Sequence, residues 1–145
     1  MYKQILVPVD LNDQGFSDKA VELAIWQAKH SNAEIHLLTV VPGIHMSMVA
    51  SYFPKDAAKK MKLEVEQLLK QFASQHIDDQ VVYKVHVAEG KTYSTILEYA
   101  EKLGVDLIVI PSHKRSKLNK VMLGSVASKV VENSTINVLV VKPQG

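Results

Sequence analysis

Ile5-Leu6-Val7-Pro8-Val9 is an unbroken apolar run, closed by Asp10. Five residues are too few for a stable helix and have no polar face to give to water, so the run reads as a strand covered on both sides. The same signature returns at Ile35-His36-Leu37-Leu38-Thr39-Val40-Val41, at residues 107–110 and at Val138-Leu139-Val140-Val141. Residues 81–87 differ: Val81, Tyr83, Val85 and Val87 alternate with Val82, Lys84 and His86, the pattern of an edge strand with one drier face.

Between these runs the apolar period lengthens to that of a helix. Ala20, Val21, Ala24, Ile25 and Ala28 share one stripe, and Met61, Val65, Leu68, Leu69 and Phe72 a second. Tyr93, Ile96, Leu97, Ala100 and Leu103 form a third, and Val126, Ala127, Val130 and Val131 a shorter fourth. Gly104 and Asn133 follow the last two stripes and suit a left-handed residue past a helix end. The order βαβαβαβαβ predicts an α/β fold: a doubly wound, five-stranded, mostly parallel sheet with helices on both faces. Right-handed crossovers with a reversal beside strand one give the order 3-2-1-4-5. Ligands of such sheets sit where neighbouring connections leave in opposite directions. Here that is between the carboxyl ends of strand one, at Pro8 and Asp10, and strand four, from Ile110 to His113.

The chain of 145 residues, 47% hydrophobic and 22% charged, suits one soluble domain over residues 1–145. The absence of cysteine excludes disulfides, thiol catalysis and thiolate zinc. A net charge of +2 is too small a basic excess to indicate nucleic acid. No run approaches the roughly 18 apolar residues of a membrane span, and Met1 leads straight into the first strand without a leader pattern. The expected location is the cytoplasm. The apolar stretch between Pro42 and Pro54 fits no regular element and reads as a loop packed over the core or as a ligand lid.

The chemistry concentrates between strand four and the last helix, in Pro111-Ser-His-Lys-Arg-Ser-Lys-Leu-Asn-Lys-Val-Met-Leu-Gly-Ser125. The first N–H groups of a helix have no internal partner, so Gly124, Ser125 and Val126 can offer donors to an anion. Gly124 permits close approach, and Lys114 and Arg115 can add charge. The competing reading is a plain helix cap beside a solvated cationic run.

These landmarks in this order resemble the universal stress protein family along essentially the whole chain. They are Ile5-Leu-Val-Pro-Val-Asp10, residues 35–41, Val87-Ala-Glu-Gly90, Asp106-Leu-Ile-Val-Ile110 with Ser112-His113, Leu123-Gly-Ser125 and Asn137-Val-Leu-Val-Val141. Nucleotide-binding members carry Gly-x2-Gly-x9-Gly-Ser, and alignment on Gly124-Ser125 puts Pro111 and Lys114 at the first two glycines. Proline there fixes φ and offers no N–H, whereas the long cation of Lys114 can stand in for lost donors.

The resemblance implies a stress-response protein that binds ATP or another adenine nucleotide, with Mg near Asp10 as its companion. The Pro8 and Val9 backbone with Val40 and Val41 would line the adenine pocket, and Asp10 would meet the ribose or the metal. Ser112, His113, Lys114 and Arg115 with Gly124, Ser125 and Val126 would surround the phosphates, and Ile110 would border the site. For Asp10 a turn-closing role competes. The resemblance also implies a homodimer through Val138-Leu139-Val140-Val141, and a nucleotide-independent interaction protein is the rival function.

Neither neighbouring chemistry nor catalysis finds support in the residues. A phosphate-accepting receiver domain needs an acidic cluster, and an FMN-binding flavodoxin a hydroxyl-rich loop after strand one, where Leu11-Asn-Asp-Gln-Gly15 stands. No Walker loop, nucleophile elbow or metal spacing occurs. The expectation is that the protein is not an enzyme, beyond slow ATP hydrolysis.

Overall fold

A computed structural model describes residues 1–41, 56–112 and 123–142, together with the backbone of 114–115 and 120–121. The elements in order are β1 (Gln4–Pro8), α1 (Asp18–Ser31), β2 (Glu34–Val41), α2 (Ala57–His76), β3 (Tyr83–Glu89) and α3 (Thr92–Lys102). They continue with β4 (Leu107–Pro111), β5 (Lys114–Arg115), β6 (Lys120–Val121), α4 (Ser125–Asn133) and β7 (Asn137–Val141). The large sheet runs β3-β2-β1-β4-β7 with every pair parallel. This is the anticipated order, with β7 as its fifth strand. The small antiparallel pair β5–β6 was not anticipated, because two-residue strands leave no periodicity to read.

Alternation along the strands divides the core in two. Ile5, Val7, Ile35, Leu37 and Val109 meet α1 and α2 on one face. Leu6, Leu38, Ile108 and Ile110 meet α3 and α4 on the other. Two helices per face follow from right-handed crossovers that first travel outward from β1 to β3 and then return past it to β4 and β7. Ile5, Leu6 and Val7 are wholly buried, as a central strand between two layers must be, and each such side chain contributes about 1.5–3 kcal/mol of burial. At the strands' amino ends the Asp106 carboxylate accepts the N–H groups of Lys3 at 2.9 Å and Gln4 at 3.0 Å, tying the approach to β4 onto β1.

Three details depart from the sequence reading. Val131, read onto the fourth stripe, is 42% exposed. Leu68 was placed on the buried stripe of α2 but is 54% exposed, whereas Leu69 and Ala73 are buried. Helical residues one apart differ by about 100° around the axis, so a seam centred on Leu69 turns Leu68 toward the carboxyl end of the sheet. Asn133 does not take the left-handed position. It is the last residue of α4, its side-chain amide donates to the Lys129 carbonyl at 2.8 Å, and Ser134 after it is extended. Past the ends of α3 and α1 the left-handed residues are Gly104 (φ 66°), as read, and Asn32 (φ 56°), which caps α1 and donates its N–H to the Ala28 carbonyl.

Candidate functional site

The site begins with a missing hydrogen bond donor. Along β1, Val9 N–H bonds to Leu38 on β2, whereas the Gln4 carbonyl accepts from Asp106 beside β4. Alternate peptides point to opposite sides of a strand, so the even positions of β1 face β4. Pro8 is the even position at the end of β1 and has no N–H to give. The β1–β4 ladder accordingly has only two pairs, Ile5↔Leu107 and Leu6↔Ile108, whereas the β1–β2 ladder has five. Above Leu6 the strands are no longer paired, and a cleft of about 330 Å³ opens at their carboxyl ends.

Of the anticipated residues, Pro8, Val9, Asp10, Val40, Val41, Ile110 and Val126 all line this cleft. Thr39 projects into the same wall, and its hydroxyl donates to the Val9 carbonyl at 3.0 Å. With the Val9 N–H on the Leu38 carbonyl at 2.8 Å, both polar groups of the Val9 peptide are engaged within the protein. Val40 differs. Its peptide shares the side of Glu34, which bonds toward β1, and stands one step above the Val9–Leu38 bond, at the cleft mouth. A donor and an acceptor from one residue there suit a flat heteroaromatic edge.

Asp10 is the only charged side chain among the described residues that line the cleft. Its carboxylate accepts the Asn12 N–H at 3.0 Å, and its own N–H donates to Ser17 Oγ at 3.1 Å. The turn-closing role is therefore present, at a residue that also borders the cavity.

The amino end of α4 forms another wall. Gly124 is its cap, at φ 78° and ψ 156°, and no side chain caps the helix. The first helical bond runs from Ser128 N–H to the Gly124 carbonyl at 3.0 Å, so the N–H groups of Ser125, Val126 and Ala127 precede it. Leu123, Val126 and Ala127 line the cleft, whereas Gly124 and Ser125, also anticipated there, are not among its lining residues.

Ser112 is not brought to the cleft. It is 1% exposed, and its N–H and hydroxyl both donate to the Val141 carbonyl, at 2.9 and 3.3 Å. It extends the β4–β7 ladder instead of facing a ligand. His113 lies outside the described residues, as does the stretch between Pro42 and Pro54. Lys114 and Arg115 are described only as the backbone of β5.

Sequence reasoning missed the side walls: Val65 and Leu68 from α2, and Thr92 and Ile96 from α3. For Thr39 a signal was present, since it is the lone hydroxyl within an apolar strand. For Leu68 no local signal distinguishes a cleft wall from a core stripe.

The family model for the universal stress protein family matches residues 1–142. The chain belongs to the universal stress protein family. Universal stress protein G of Shigella flexneri is 37% identical over 145 residues, covering 98% of this chain and all of that protein. Among solved structures, the hypothetical protein MJ0577, whose biochemical function was assigned from its structure, superposes with a TM-score of 0.81 at 27% identity, covering 100% of this chain and 99% of that one. A universal stress protein solved in complex with cAMP superposes at 0.69 with 23% identity, covering 99% and 98% of the two chains, a likeness of fold. Universal stress proteins thus share this chain's whole architecture.

Proposed function

We propose that residues 1–145 form one cytoplasmic domain that binds an adenine nucleotide, such as ATP, ADP or AMP, and acts as a nucleotide-linked regulator or protector in the stress response. The observation that carries this reading is the cleft itself. Apolar walls for a flat base, an outward-facing Val40 peptide and the uncapped amino end of α4 converge where Pro8 ends the β1–β4 ladder. In this reading Pro8, Val9, Val40, Val41 and Ile110 enclose the base. Asp10 meets the ribose or a Mg ion carried by the phosphates. Gly124, Ser125 and Val126 offer N–H groups to the phosphates, with His113 and the cations of Lys114 and Arg115 beside them. The protein complexed with cAMP supports an adenine ligand for the fold. No catalytic group is assigned, and slow hydrolysis of bound ATP would be incidental.

Mass spectrometry of the purified protein before and after denaturation tests the reading, together with calorimetric titration of ATP. Retained or titrated adenine nucleotide supports it. No retention and no heat of binding at millimolar ATP would leave the cleft without its proposed ligand.

A second reading rests on β7. Among the described residues β7 pairs only with β4, Leu139 is 41% exposed and Val138 is half-buried. An apolar open edge calls for a partner strand, and a second copy about a twofold axis satisfies both edges together. Homodimerisation through Val138-Leu139-Val140-Val141 is compatible with nucleotide binding, and alone it would make the chain a nucleotide-independent interaction protein. Sedimentation of the protein without nucleotide measures this directly.

A further inference from the structure

A chain of polar side chains crosses the α3 and α4 face of the sheet from central β1 to edge strand β3, away from the cleft. Gln4 on β1, His36 on β2 and His86 on β3 stand on one diagonal. His36 Nε2 lies 2.6 Å from Gln4 Oε1, and His36 Nδ1 lies 2.9 Å from His86 Nε2. The two imidazoles meet end to end, with centroids 5.1 Å apart and planes inclined by 30°, and the Tyr99 ring of α3 approaches His86 edge-on at 6.0 Å. His36 is 4% exposed.

Hydrogen counting restricts this chain. The Gln4 carbonyl oxygen only accepts, so His36 Nε2 carries a hydrogen. In the neutral pair His36 Nδ1 is then the acceptor and His86 Nε2 the donor. One added proton is tolerated, because a single N–H still lies between the rings whichever ring is charged. A second proton sets N–H against N–H and cation against cation at 2.9 Å.

The charged surroundings do not relieve that conflict. Glu34 is the one nearby carboxylate on β2, 3.9 Å from His36 Nε2, and it is shared with Lys84 of β3 at 3.3 Å. Lys102 of α3 adds a cation near His86. From α2, Lys59, Lys62 and Glu66 line the groove at the outer edge of β3 beside His86. Burial is the largest effect holding both imidazoles below their ordinary value. Lys84 lowers both further, His36 and Lys102 also lower His86, and Glu34 opposes the shift.

We propose that the His36–His86 pair is an acid-sensitive latch, which fastens edge strand β3 and helix α3 to the sheet while neutral and releases them when acid loads both rings. Release reaches the cleft through covalent neighbours: Gly90 after β3 donates its N–H to the Val41 carbonyl at 3.0 Å, and Thr92 and Ile96 of α3 are cleft walls. The latch stands whether or not a nucleotide fills the cleft. Both rings bind protons less readily in the fold than in the unfolded chain, whose histidines titrate near ~6.5. Its contribution is therefore full above about pH 6.5 and is lost as pH falls through the lower folded values.

Amide hydrogen exchange on the full chain, corrected for intrinsic rates, tests the latch at about pH 7.5 and about pH 5. The expected result is a loss of protection in β3 and α3 about tenfold greater than in β1 and β4. In His86→Gln, whose amide can donate to His36 Nδ1 without titrating, this regional difference should disappear. Equal loss across the sheet, no loss, or an unchanged regional difference in His86→Gln would overturn the proposal. Should that variant fail to fold, imidazole nitrogen shifts of the wild type decide: depressed titration with an Nε2–H form on both rings supports the latch, and ordinary imidazole titration removes it.

Discussion

The Thr39 hydroxyl donates to the Val9 carbonyl at 3.0 Å across the top of β1 and β2, inside the cleft wall. Thr39→Val keeps the shape but leaves a buried carbonyl without this donor, at a cost of about 1–3 kcal/mol. Thermal unfolding of the variant should show a melting temperature lower by roughly 3–9 °C for a chain of this size. An unchanged melting temperature would mean that water replaces the hydroxyl without loss.

Pro8 sets where β1 and β4 part. Pro8→Ala restores an N–H facing the Val109 carbonyl in the β1–β4 register, so a slowly exchanging amide is expected at position 8. One further rung narrows the cleft, and calorimetry should register weaker ATP binding than wild type. A rapidly exchanging amide at that position with full affinity would show that the opening has another cause.

Gly124 sits at φ 78° and ψ 156°, a backbone region nearly closed to residues with a β-carbon. Gly124→Val would therefore strain the fold as well as crowd a ligand. The substitution should cost about 1–3 kcal/mol through strain alone. Gly124→Ala separates the effects: its denaturation midpoint should fall, and its ATP affinity, measured where it remains folded, should fall as well. Wild-type affinity in folded Gly124→Ala would detach the helix end from nucleotide binding.

At the open edge, Leu139→Lys and Val140→Lys place a charge on or beside β7. If two copies pair through this strand, sedimentation should show a dimer for wild type and a lighter species for both variants. A wild-type monomer at micromolar concentration would remove the dimer.

The fold was legible because its signals are repeated and local: short double-sided apolar runs such as Ile5 to Val9, helical stripes between them, and Gly104 at a helix end. The cleft was legible at its floor, since strand ends near a topological reversal follow from the order of elements. Its walls were not. Leu68 and Leu69 are chemically identical neighbours, and only the seating of α2 decides which is buried. Ser112 looked like a phosphate ligand by its company in the sequence, but two bonds to the Val141 carbonyl absorb it into the sheet. The His36–His86 contact joins two strands whose separate sequences give no hint that those rings meet.

A sheet in which every neighbour is parallel has no hairpin to start from. Central β1 is made first, yet Ile5 gains its second neighbour only when Leu107 has been synthesised. On the ribosome this apolar central strand must therefore wait with one side uncovered until β4 of the same domain has emerged. That delay makes nascent β1 a natural substrate for chaperones during synthesis.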